Sequence, residues 1–517
     1  MYINNKIVIA KNDEKELAIL PRLVNRHGII TGASGSGKTT TVKVMAESFS
    51  NAGIPVFFVD VKGDLASISK PGAPGVDFIE KRIQELGLDF EYQAFPVTFF
   101  DVFKKNGHPI RTTVGDIGPR LLSRMLELSD SQEGNLAIAF QIAEDENMKL
   151  NDLGDLKSLL SYVADNRNEY ITKYGNITTQ SIATIQRNIL MLEQEGGNDF
   201  FGKPELQLFD LLQYDSNGHG FVNILDAQEL FKKPTLYASF LIWLLNNLYD
   251  NMPEVGDLDR PKLALFLDEA HLIFSEMSTS LIKQITQVVK LIRSKGIGVY
   301  FISQSPSDIP EEILSQLGNK VQHVLRSYTP SDEKAVKAAA NSFRSNPKFK
   351  TEDEIKALAT GEALVSFLDE NGEPTVVERA YILPPQSLVG TISDGERQQL
   401  INGSRIYGKY ENVLDEVSAT ELVTADKEKK DAEKQAELDR IAEEKQRIAD
   451  EKAAEKAAKE AEREAAKKKR EEEKAKKEAE RERKNSVTYK LGKKATNKVV
   501  NKALDKGINK IFKGLFK

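Results

Sequence analysis

Gly32-Ala33-Ser34-Gly35-Ser36-Gly37-Lys38-Thr39 lies between a short apolar run, His27-Gly28-Ile29-Ile30-Thr31, and a segment of helical composition, Thr40-Thr41-Val42-Lys43-Val44-Met45-Ala46-Glu47. Few eight-residue stretches constrain a fold so tightly. The glycines let successive backbone N–H groups converge on one point, and the helix N-terminus adds a partial positive charge. A phosphate fits there. In such a loop Lys38 reaches the β- and γ-phosphates and the Thr39 hydroxyl holds Mg2+. The expected binding set is Gly32, Ala33, Ser34, Gly35, Ser36, Gly37, Lys38, Thr39 and Thr40, with ATP or GTP as ligand and Mg2+ as its ion. An ordinary glycine turn would leave the lysine and the threonine unexplained.

Short continuous apolar runs recur on both sides of a different texture. Residues 54–60 and 96–101 read as strands, as do 220–225, 262–267, 298–303, 320–325 and 362–367. Runs of this length bounded by turns suit a mainly parallel sheet covered on both faces, so the class is α/β. Between about 119 and 205, Leu121, Leu122, Met125, Leu126, Ile182, Ile185, Ile189 and Leu192 recur at helical spacing, which predicts a helical insertion with internally packed stripes. The expected organisation is therefore 1–118 and 206–410 as two parts of one core, 119–205 as the insertion and 411–425 as a linker. A charged single helix or weak coiled coil follows over 426–484, then a basic tail over 485–517.

A second piece of chemistry ends the run 262–267. Leu263-Ala264-Leu265-Phe266-Leu267 delivers Asp268 and Glu269, two adjacent carboxylates whose burial is costly unless a cation or hydrogen bonds await them. Asp268 is expected in the Mg2+ shell beside Thr39, and Glu269 is placed to polarise an attacking water. The alternative is an Asp-Glu cap on the next helix. The following strand ends at Ser303-Gln304, which puts a neutral amide beside the γ-phosphate. Arg293 and Arg326 are candidates for stabilising transition-state charge, from the same chain or a neighbouring one, or else surface ion-pair residues. Asp60 and Asp64 flank Lys62 as either supporting carboxylates or a plain turn.

Composition bounds the rest. A chain of 517 residues is too long for one compact core. It has no cysteine, which excludes disulfides and thiolate metal sites, and its histidines (27, 108, 219, 271 and 323) show no metal-ligand spacing. The start lacks signal-peptide character, and the apolar run 236–249 is too short to span a bilayer, so a cytoplasmic protein is expected. Residues 426–517 carry 30 Lys and Arg against 21 Asp and Glu, a net of +9, so the preceding 425 residues carry −15 of the overall −6. An acidic core argues against a broad basic face for nucleic acid.

The helix over 426–484 is Ala, Glu, Lys, Arg and Gln with opposite charges three and four apart, and only Leu438, Ile441 and Ile448 are large and apolar. Beyond it, Val500, Leu504, Ile508, Phe512 and Phe516 recur every four residues, opposite a lysine stripe. That tail suits an anionic membrane surface, docking on protein, or DNA phosphates.

Asn25-Arg26-His27-Gly28, the run 60–65, Leu267-Asp268-Glu269-Ala270-His271-Leu272, Arg293-Ser294-Lys295-Gly296-Ile297-Gly298-Val299 and the run 303–310 resemble, in order and spacing, the HerA-like ATPases of the HerA/FtsK-type translocase superfamily, nearest to their bacterial branch. The resemblance covers roughly residues 15–410. It implies a RecA-like P-loop NTPase core with an added helical subdomain, and a self-assembled ring, commonly a hexamer, that translocates or unwinds DNA. It also implies the roles given above for Lys38, Thr39, Asp268, Glu269 and Gln304, with Arg293 as the finger supplied in trans. About two dozen residues precede the first core strand, too few for the N-terminal β-barrel by which archetypal members dock a nuclease, so that partner is not expected. A different class, an ATP-dependent switch or remodelling ATPase acting on protein or at a membrane, stays open on the acidic core; DNA stimulation of turnover discriminates the two.

Overall fold

The computed structural model describes residues 1–256 and 258–485. The tail over 485–517 therefore lies outside the described residues, Asn485 excepted. Residues Met1–Thr424 form one compact unit and the second begins at Ala425.

Thirteen strands are found among the described residues. They are β1 (Tyr2–Ile3), β2 (Lys6–Lys11), β3 (Glu16–Ile19), β4 (Gly28–Thr31), β5 (Val56–Asp60), β6 (Val97–Asp101) and β7 (His108–Pro109), then β8 (Val222–Asp226), β9 (Leu263–Leu267), β10 (Ile297–Ser303), β11 (Asn319–Gln322), β12 (Glu362–Ser366) and β13 (Glu378–Ile382). They form one sheet in the order β1-β2-β13-β12-β11-β4-β10-β9-β5-β8-β6-β7, with β3 paired to β2. The strands from β11 to β7 are parallel to their neighbours, whereas β12, β13, β2 and β3 pair antiparallel.

Alternation along fully buried strands sorts the apolar side chains onto two faces. Ile29, Phe57, Val59, Leu265, Leu267, Val299 and Phe301 join one core; Ile30, Val56, Phe58, Phe266, Tyr300 and Ile302 join the other. The second face carries the helix Lys38–Asn51, whose Phe49 ring packs 5.7 Å from Phe266 and 5.3 Å from Tyr300. The first face carries Pro234–Asn251 and Thr279–Leu291. Pro234–Asn251 contains the run 236–249 and is a core helix with Leu236, Phe240, Ile242, Leu244 and Leu248 buried. No helix among the described residues is long and apolar enough to cross a membrane.

The helices that follow β7 share that first core. Val114–Met125 opens the set; the Thr113 side chain accepts from Asp116 N and caps its first turn, and a break at Gly118 (φ 70°, ψ 166°) starts a second helical piece at Pro119. Leu122, Met125, Leu126, Ile182, Ile185, Ile189 and Leu192 all pack into the core that backs the sheet, with Leu121 half-buried against it.

The long helix runs Ala419–Asn485, seven residues earlier than the charge pattern suggests. Its first turn is fixed within the compact unit: Asp155 accepts from Ser418 Oγ (2.6 Å), Thr420 N (3.2 Å) and Thr420 Oγ1 (2.9 Å). From Ala425 on, its ion pairs are of the i,i+3 and i,i+4 kind, such as Arg447–Glu444 at 3.2 Å, and Leu438, Ile441 and Ile448 are exposed.

Candidate nucleotide site

Strand register brings the chemistry to one end of the sheet. Thr31 pairs with Ser303 and with Gln322, Leu267 with Phe301 and Val59, and Asp60 with Asp226. The residues that follow these positions therefore share the C-terminal edge of the parallel strands: the loop from Gly32, Gln304, Asp268 with Glu269, and the turn from Asp60.

The loop at 32–37 is shaped by left-handed backbone. Gly32, Gly35 and Gly37 have φ of 155°, 73° and 104°, and Gly37 caps the helix that starts at Lys38. It is braced from one side. Ala33 N donates to Val324 O (2.9 Å) and Gly361 N to Ser36 O (3.3 Å). A Cβ on Gly32 would lie 2.5 Å from His323 Cβ. His323 is buried behind the loop, its Nδ1 2.9 Å from Glu362 O and its Nε2 2.8 Å from Thr41 Oγ1. Nδ1 thus carries the proton and Nε2 accepts. Burial holds the ring's pKa down at about 4, helped by the Lys38 charge. Lys38 Nζ turns back on the loop carbonyls Gly32 O and Ala33 O (3.0 Å).

Across the edge, Asp268 is buried and its Oδ1 accepts from Glu269 N at 2.9 Å. Glu269 holds φ 49°, ψ 45°, a left-handed conformation costing a non-glycine residue roughly 1–2 kcal/mol. Lys62 Nζ lies 2.7 Å from Glu269 Oε1 and 3.9 Å from Asp268 Oδ2, and His271 Nδ1 is 3.2 Å from Glu269 Oε2. Burial raises the Asp268 pKa to about 6, with Lys62 opposing and Glu269 adding to the rise. Lys62 keeps its proton firmly, because Asp268, Glu269 and Asp64 outweigh its burial. Asp60 resolves as the anchor of the turn that presents Lys62. Its Oδ1 accepts from Lys62 N (3.2 Å) and Gly63 N (2.7 Å), and its Oδ2 from Leu65 N (3.2 Å).

Gln304 is exposed at the end of β10, between the loop and the two carboxylates. The arginines part company. Arg326 is exposed two residues beyond Val324, on the loop's own edge. Arg293 sits in the 3-10 turn Ile292–Lys295 that leads into β10, at the opposite end of the sheet. Seven residues of β10, about 20 Å at ~3.3 Å per residue, separate Arg293 from its own loop.

The residues present fit a magnesium nucleotide. Ser36 Oγ is buried within the loop with no hydrogen-bond partner among the described residues. The half-buried Thr39 hydroxyl and the Asp268 carboxylate supply the hard oxygen donors that Mg2+ takes. Three contributors escape a reading of the sequence: His323, Gly361 and the role of Lys62. The first two flank β11 and β12, distant in sequence from the loop, and Lys62 shows only as the centre of a turn.

Fold and site together define a P-loop nucleotide-binding protein. The family profile described as "Helicase HerA-like C-terminal" matches residues 5–510, and the chain belongs to that family. Among curated relatives, the DNA double-strand break repair helicase HerA of Sulfolobus acidocaldarius is 22% identical over 363 residues, 69% of this chain and 65% of its own. The protein of the same name from Pyrococcus furiosus is 23% identical over 370 residues, 66% of this chain and 63% of its own. The match thus spans somewhat under two thirds of each relative. The bacterial conjugative coupling protein TrwBdeltaN70 superposes with a TM-score of 0.49 at 13% identity, covering 75% of this chain and 91% of that one, a likeness too loose to argue from.

Proposed function

We propose that the chain is a Mg2+-dependent ATPase that works as a ring and moves or unwinds DNA. The observation that carries hydrolysis is the alignment on one sheet edge of a phosphate loop, two acidic residues and a terminal amide, within a chain of the HerA-like family. The curated relatives are named as DNA repair helicases, which supports DNA as the substrate.

Amides of residues 32–39 and Lys38 hold the phosphates. Thr39 and Asp268 hold Mg2+, which screens phosphate charge when bound. Glu269 takes a proton from the attacking water as the γ-phosphoryl group leaves ADP, and Gln304 orients that water. Lys62, 2.7 Å from Glu269 Oε1, orients that carboxylate across the edge. Arg293 is too far from its own loop to serve it, which supports its use by the neighbouring subunit; Arg326 is read as a residue of its own site.

The test is ATP turnover with and without single- and double-stranded DNA, run beside a mass measurement with nucleotide. DNA-stimulated turnover by an oligomer is expected. Turnover unchanged by either DNA would overturn the motor and leave the protein- or membrane-remodelling reading. The ring number, a membrane surface or protein contact for the tail over 485–517, and a cytoplasmic setting belong to the same proposal.

A further inference from the structure

A nucleotide has two ends, and only one is assigned above. On the proposed reading, the groups that act on the γ-phosphate, Asp268, Glu269 and Gln304, lie on β9 and β10, to one side of β4. The phosphate chain then points that way, and the ribose and base must leave the loop over its other flank, toward β11, β12 and β13.

That flank carries an arrangement with no part in hydrolysis. Gly361, with φ +81°, touches the loop: its N donates to Ser36 O, and a Cβ on Gly37 would lie 3.3 Å from it. On its other side stands Arg82, from the helix Asp77–Leu86; a Cβ on Gly361 would meet Arg82 Nη2 at 3.3 Å. Arg82 Nη1 donates to Gly361 O at 3.2 Å, and its Cζ lies 4.1 Å from the centroid of the Tyr381 ring. Tyr381 pairs with Glu362 across β12 and β13, which sets it at the same edge as the loop. The Arg82 side chain is 16% exposed and makes one hydrogen bond among the described residues, beside a long 3.9 Å ion pair with Glu85. Most of its five donors stay available to another acceptor.

We infer that Arg82, backed by Tyr381 and positioned by Gly361, receives the purine base of the nucleotide, by stacking through the guanidinium plane. A planar guanidinium already lying over one aromatic ring is held flat to receive a second ring on its other face. Gly361 is the link: any side chain there would be strained by its φ and would push Arg82 away from the loop.

This inference rests on the nucleotide reading, so the experiment separates the two. Binding of ADP, CDP and inorganic pyrophosphate, each with Mg2+, is measured by calorimetry on the full chain and on Arg82→Ala, Arg82→Lys and Tyr381→Ala. The wild type is expected to bind ADP more tightly than CDP, and both more tightly than pyrophosphate. Arg82→Ala should weaken ADP about tenfold or more while leaving pyrophosphate within about twofold, because only the base contact is lost. Arg82→Lys should not rescue, since a point charge cannot stack. Tyr381→Ala should repeat the pattern more weakly and covers the case of an unfolded Arg82 variant. Equal weakening of ADP and pyrophosphate, or of neither, overturns the base site alone. A wild type that binds none of the three overturns the nucleotide reading itself.

Discussion

The two ends of the parallel strands carry different chemistry. At the N-terminal end, three polar side chains bond to backbone. His27 Nδ1 accepts from Val299 N (3.0 Å), Tyr300 OH donates to Val24 O (2.8 Å), and Asn319 Nδ2 donates to Leu23 O (3.2 Å) and His27 O (3.1 Å). At the C-terminal end, the Ser36 hydroxyl goes unpaired, Glu269 holds a left-handed backbone and Asp268 has its pKa pushed up to about 6 by burial. The N-terminal end is strained too: His27 holds φ 54°, burial pushes its pKa down to about 4, and Asn25 Oδ1 and Asn319 Oδ1 are buried without a partner among the described residues. What sets the other end apart is its chemistry, a phosphate loop, two carboxylates and Lys62 on one edge. Changes at the first should cost stability and spare chemistry, and changes at the second should do the reverse.

One of the two largest effects should come from Glu269→Gln. Loss of a positioned base lowers kcat by about 10²–10⁴-fold. Binding of ADP should survive, because Lys38 and the loop amides are untouched; wild-type turnover in this variant would remove Glu269 from its role. Lys38→Ala should instead abolish tight nucleotide binding.

Arg293→Ala tests whether the N-terminal end also serves chemistry, in a neighbouring subunit. Removing a trans arginine costs about 10³-fold or more in other phosphoryl-transfer enzymes. Mixing Arg293→Ala with Glu269→Gln should recover part of the activity, since a mixed ring contains interfaces with both residues intact. Arg326→Ala mixed in the same way should recover none, because Arg326 shares its own loop's edge. A fully active monomer, or recovery in both mixtures, would break this division.

Gly298→Ala probes the N-terminal end directly. A Cβ there would lie 2.3 Å from Val24 O, a backbone atom with no room to yield, so a loss of about 3 kcal/mol is expected in denaturant unfolding. The KM for ATP, measured on the folded fraction, should stay within about twofold. A large KM change would mean that the two ends are coupled.

What could be read before the structure divides along similar lines. The phosphate loop and Asp268-Glu269 are contiguous motifs whose strands announce themselves as short apolar runs. The parallel sheet was legible for that reason. The antiparallel extension was not: Lys6–Lys11 and Glu378–Ile382 are partners only because distant strands meet. His323, Gly361 and Lys62 escaped likewise, since each matters through a residue far away in sequence. Arg293 precedes β10 and Arg326 follows β11, so they fall at opposite ends once both strands run parallel to β4; the family resemblance had already set Arg293 apart. The early start of the long helix depends on Asp155, more than 260 residues upstream of Ser418, which no charge pattern over 426–484 could reveal.

The smallest effect concerns Asp268 and runs against intuition. In the unfolded chain its pKa is 3.8, and folding raises it to about 6. A carboxyl with a raised folded pKa binds its proton more tightly when folded, so its stabilising contribution is present at low pH and is lost as pH rises from about 4 through 6. At pH 8 the native state therefore carries an ionised buried carboxylate only partly offset by Lys62. Asp268→Asn removes that cost and should raise stability at pH 8 by on the order of 2 kcal/mol, with the gain fading toward pH 4. Saturating Mg2+ and ADP should then favour the wild type, because the amide gives the metal a weaker ligand than the carboxylate. Thermal melts of both proteins across pH 4–8, with and without Mg2+ and ADP, test the argument. A variant less stable than wild type at pH 8 without ligand would show that the Lys62 contact outweighs burial, and that the ligand-binding end is not held at the expense of stability.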